Sequence, residues 1–135
     1  MKGFQSSIKW IMLVSGLLTC AASYVLFAPE LSLRATFGVP TTSPMALIIL
    51  RHWGALIGLF GLMLIYGAFK ESVRRMVLLV TSAGKVAFIS LVLSEGSQFA
   101  LSQAGAGLVI DSITVLLFAA YLISSTKQIG VDQTR

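Results

Sequence analysis

Residues 45–69 read MALIILRHWGALIGLFGLMLIYGAF. A single charge, Arg51, interrupts an apolar run long enough to cross a bilayer core, which takes about 20 helical residues. A membrane β-strand would alternate apolar and polar residues with a period of two, so this run reads as a helix. Working outward, three further runs of the same kind occupy 10–28, 76–93 and 106–124. The chain therefore reads as all-α: an integral membrane four-helix bundle, with residues 1–135 forming one four-span domain.

Composition agrees. The 135 residues are 56% hydrophobic and only 11% charged, with a mean hydropathy of +0.90. A soluble domain carries about 25% charged residues to cover its surface. The formal charge of +5 does not indicate nucleic-acid binding, because the basic residues gather at span ends. Cys20 is the only cysteine. It excludes an intrachain disulfide, a CxxC pair and a cysteine-rich metal site. After Lys2 and Lys9 the first apolar run continues past the length of a signal peptide, and an uncleaved first span is expected.

Lysine and arginine set the expected orientation. Lys2, Lys9, Lys70, Arg74, Arg75, Lys127 and Arg135 all fall on one side, and only Arg34 lies in a loop on the other. The positive-inside rule puts both termini in the cytoplasm. Trp10, Tyr66 and Tyr121 sit near the inner interface, Tyr24 and Phe27 near the outer one. The loop over 70–75 is short, so spans two and three are antiparallel neighbours. In the first outer loop Pro29 begins a short interfacial helix through Phe37, stopped by Gly38 and Pro40. Ser43 and Pro44 then read as N-cap and first residue of span two.

Three charges lie inside spans: Arg51, Lys85 and Asp111. On the biological insertion scale the apolar residues of span three contribute about −0.3 to −0.6 kcal/mol each, against roughly +3 kcal/mol for a central lysine. They only just outweigh Lys85, which therefore needs a compensating neighbour. At about 1.5 Å per residue, Lys85, Arg51 and Asp111 fall about 12, 9 and 8 Å from the outer ends of their spans, in one layer. Asp111 is the only acid within a span, and it is expected to pair with Arg51 or Lys85. Glu95, flanking span three, is a second candidate acid. If it stays outside, the layer keeps a positive charge suited to an anionic head group, with Arg51 the better grip. His52, about 100° round the helix from Arg51, completes a candidate ligand-binding set of Arg51, His52, Lys85, Glu95 and Asp111. Structural pairing of the charges is the alternative. Thr81 and Thr114 share faces with Lys85 and Asp111 and are placed to hydrogen-bond them.

Gly54, Gly58 and Gly61 lie along one face of span two, and the first two form a GxxxG. Small residues let a second helix approach closely in lipid, either within the bundle or from another subunit. No arrangement of Ser, His and Asp, no zinc spacing and no phosphate loop suggests catalytic residues, and no metal is expected. A single histidine without CxxCH gives neither bis-His nor covalent haem, and no cofactor is expected.

Residues 27–38 (FAPELSLRATFG), followed by 51–54 (RHWG) at the head of a glycine-rich span, resemble small bacterial four-helix membrane proteins of the DoxX-like group. Pro29, Gly38 and Arg51 carry the resemblance. It implies a four-helix bundle in a bacterial inner membrane, and it implies no catalytic residues. The expected function is a non-enzymatic membrane module that binds a partner protein or a lipid-like anionic small molecule. It would sit among membrane lipids, alone, as a homo-oligomer or in a larger membrane complex. A small transporter, or a membrane enzyme acting on a lipid or quinone through the polar layer, is the alternative. A sealed, dry ion pair favours the first class; access to the layer favours the others.

Overall fold

A computed structural model describes residues 2–40, 43–94 and 103–132. Five α-helices are present among them: α1 (Lys2–Ala22), α2 (Pro29–Phe37), α3 (Pro44–Phe69), α4 (Glu71–Ser94) and α5 (Gln103–Asp132). Four of these contain segments long and apolar enough to cross a membrane: Ser7–Leu26, Pro44–Phe69, Glu71–Ser94 and Gly105–Ser125. The chain is a small multi-pass membrane protein with a short helix between its first and second spans. α1 packs on α3, α3 on α4, α4 on α5, and α5 closes weakly back on α1. Both termini lie at one end of this ring; α2 crosses the other, against α3 and α5.

Local chemistry sets the α2 end. α1 does not run on to residue 28 as one α-helix. It tightens into a 3-10 turn, Ser23–Leu26, where the Ser23 hydroxyl donates to the Cys20 carbonyl at 2.6 Å. Pro29 excludes the α conformation for the residue before it, and Ala28 is accordingly at φ −130°, ψ 65°. Pro29 then opens α2, and Gly38 closes it at φ 72°, a left-handed conformation that glycine adopts at no steric cost. Glu30 in the first turn and Arg34 in the last complement the helix dipole. Ser43 and Pro44 start α3, although the Ser43 side chain makes no capping bond.

The connection expected over 70–75 contracts to one extended residue, Lys70 (φ −108°, ψ 96°). Arg74, buried at 5% exposure, explains how so tight a corner is stable. Its Nε donates to the Gly67 carbonyl at 3.2 Å and its Nη2 to the Ala68 carbonyl at 3.1 Å. These carbonyls at the end of α3 have no partner within their own helix. Glu71 accepts from Nη1 at 3.3 Å. Next to this corner lies the apolar core: Ile8 and Met12 of α1, Leu64 and Ala68 of α3, Val77 and Leu78 of α4, and Phe118 of α5.

The glycine face of α3 meets α1 within the same chain. A Cβ on Gly61 would stand 2.7 Å from the Cys20 nitrogen and 2.8 Å from the Gly16 oxygen. One on Gly54 would stand 2.5 Å from the Leu26 nitrogen, but one on Gly58 meets only the Ser23 side chain, at 3.3 Å. The close approach therefore uses Gly54 and Gly61, two helical turns apart, rather than the GxxxG pair. Gly61→Ala should cost about 1–3 kcal/mol through overpacking, Gly58→Ala distinctly less, and Gly107→Ala nothing, since no atom lies within 4 Å of its Cβ position. Thermal unfolding in one detergent ranks the three; equal losses would refute the assignment. Arg74→Met should cost about 1–3 kcal/mol by orphaning two carbonyls. Arg75→Met, which removes the same charge from an exposed neighbour, should leave the melting temperature nearly unchanged.

Candidate polar site

Along α4, Arg74, Leu78, Thr81, Lys85 and Val92 fall on one stripe, because steps of three and four residues return to the same helix face. Along α5, Leu108, Asp111, Thr114 and Phe118 do the same. The two stripes face each other, and the Lys85 ammonium donates to Asp111 Oδ1. The ion pair joins α4 to α5 near mid-span. Its side chains keep 12% and 21% of their exposure, so it is enclosed by the bundle but not sealed.

Arg51 does not join the pair. It and His52 are outward-facing, and neither has an ion-pair or hydrogen-bond partner among the described residues. α3 presents other residues to α4. Trp53 stacks on Phe88 with centroids 5.9 Å apart and planes at 29°, and the Phe60 ring occupies the space a Cβ on Gly84 would take. Arg51 precedes Trp53 by two residues, about 200° round the helix. Lys85 and Asp111 pair across α4 and α5, but similar depth along a span says nothing about azimuth. Glu95 lies outside the described residues. Among the described residues, Lys85 and Asp111 form a one-to-one pair whose charges cancel.

Beneath the pair lies a layer of hydroxyls that sequence reasoning only half found. Ser15, Thr81 and Thr114 are buried. Each stands one turn from a core residue (Met12, Leu78 and Phe118) in the direction of the α2 end. The threonines do not donate to the charges. Thr81 Oγ1 donates to the Val77 carbonyl and Thr114 Oγ1 to the Ile110 carbonyl, both at 2.8 Å, as threonines in helices commonly do. Their remaining lone pairs can only accept. The Ser82 hydroxyl, also on α4, is buried without a partner among the described residues. No group of three or more metal-ligating side chains occurs among the described residues.

A second feature was not read from the sequence at all. At the α2 end, Leu33 and Phe37 of α2, Trp53 of α3, and Phe88, Leu91 and Val92 of α4 line an open groove of about 450 Å³. Three separate elements contribute to it, so no single stretch of sequence signals it.

Removing one charge leaves the other unpaired inside the bundle. Lys85→Leu and Asp111→Leu should each destabilise by about 2–4 kcal/mol, and the double variant should recover most of that loss. A double-mutant cycle measured by unfolding in detergent checks the coupling. Additive losses would show that the two charges do not act as a pair. No family model, curated protein or solved structure matches the chain.

Proposed function

We propose that this protein is a non-enzymatic membrane module that binds a lipid-like molecule at the Lys85–Asp111 pair. The observation that carries this reading is partial enclosure: the pair keeps only 12% and 21% of its side-chain exposure, less than the open access that would favour a transporter or an enzyme, but enough for a guest to touch it. An ammonium has three donors, and one goes to Asp111. The pair therefore offers a guest hydrogen bonds rather than net charge. A neutral polar group such as a carbonyl or hydroxyl suits it better than an anion, which would compete with Asp111 for Lys85.

The core residues Ile8, Met12, Leu64, Leu78 and Phe118, each at most 1% exposed, close the interior toward the termini end. The guest would enter from the α2 end or laterally from lipid. Basic residues at the termini end support reading that end as cytoplasmic. The resemblance of residues 27–38 and 51–54 to DoxX-like proteins would suit a bacterial inner membrane setting. A small transporter is the second reading, favoured by the hydroxyl layer under the pair; it would require the core below to open.

Native mass spectrometry of protein extracted from membranes tests the proposal. The wild type should retain an adduct of lipid-like mass that the folded Lys85→Leu/Asp111→Leu variant loses. Adducts equal in the two proteins, or none on the wild type across several lipid compositions, would count against it.

A further inference from the structure

We infer that the groove beneath α2 seats one hydrocarbon chain of a zwitterionic membrane lipid, whose head group lies against Glu30 and Arg34. This site does not depend on the Lys85–Asp111 reading. The groove has the volume of a small-molecule site, and its lining residues, with Val39, are all apolar. Trp53, Phe88, Leu91 and Val92 belong to helices long and apolar enough to cross a membrane, which puts the groove within reach of lipid chains. Left empty, it would cost its lining atoms their dispersion contacts. A single flexible chain fills such a slot without bringing any polar group into it. Gly38 contributes by turning the backbone at φ 72°, after which Val39 returns to the groove wall.

The head group follows from the rim. On α2, Glu30, Leu33 and Phe37 are spaced i, i+3, i+7, and Arg34 stands beside both Glu30 and Phe37. Glu30 and Arg34 therefore border the stripe that lines the groove. Both are exposed. Their i, i+4 spacing suits an ion pair, yet neither has a partner among the described residues. A head group with a phosphate and an ammonium can satisfy both, phosphate on Arg34 and ammonium on Glu30. An anionic head group would satisfy Arg34 and be repelled by Glu30.

Trp53 lines the groove and serves as the reporter. Trp10 lies at the other end of the bundle and faces outward at 63% exposure, so Trp10→Phe leaves Trp53 as the sole tryptophan. This protein is reconstituted in vesicles containing increasing fractions of dibrominated-chain phosphatidylethanolamine in phosphatidylglycerol, and then with the bromines on the other lipid. Brominated chains quench a tryptophan they touch. Half-maximal quenching is expected at about threefold lower mole fraction for the zwitterionic lipid, a factor typical of exposed charge contacts. The Glu30→Gln/Arg34→Gln variant should abolish this difference while leaving the quenching itself. The Lys85→Leu/Asp111→Leu variant should keep the difference, which separates this site from the one proposed above. Identical curves for the two lipids, or a preference for the anionic one, overturns the inference. Absent quenching by either lipid also overturns it and points to a second copy of the chain over the groove, which cross-linking then detects.

Discussion

Hydrocarbon gives two apolar helices no reason to prefer each other over lipid. A seam between helices therefore needs something more specific than burial, and the three main seams of this bundle use different devices. α1 and α3 meet through backbone, Gly61 against Gly16 and Cys20, and Gly54 against Leu26. α3 and α4 are joined at one end by Arg74, which completes the last carbonyls of α3, and further along by the Trp53–Phe88 stack. α4 and α5 are joined by an ion pair between groups that lipid cannot solvate. Without these contacts the helices would still cross the membrane, but they would have no fixed neighbours.

These devices divide the molecule by depth. Toward the termini the interior is tightly filled, with Met12, Leu64, Leu78 and Phe118 fully buried. One turn further the interior becomes polar, with Ser15, Thr81 and Thr114 buried and the ion pair beyond them. α2 lies across this end instead of a fifth span, and it leaves a groove at its edge. Here the packed end holds the helices together, which lets the other end carry charge and open surface.

How much of this was legible depends on how local the chemistry is. The limits of α2 could be read from Pro29 and Gly38, because each acts through its own backbone angles. The pairing of Lys85 with Asp111 could be read from depth, because a helix rises by a fixed amount per residue. Arg51 was misplaced for the same reason: rise fixes height, whereas azimuth depends on which face the neighbours take. Trp53 and Phe60, seven residues apart on one face, carried that information as an aromatic stripe. The Gly54–Gly58 motif identified the right helix face, but α1 approaches most closely two turns apart, at Gly54 and Gly61. Arg74 read only as an orientation signal, yet its guanidinium also caps α3. The groove was out of reach, since it exists only once α2 folds back over two spans.

The ion pair also constrains assembly. Lys85 costs span three roughly +3 kcal/mol on insertion, nearly cancelling its apolar residues. Asp111 relieves that cost when α5 comes alongside. In water a well-packed apolar pair often replaces a buried ion pair at no loss, but in lipid apolar residues would give α4 no preference for α5 over hydrocarbon. The charges are thus an expensive means of fixing one helix beside another.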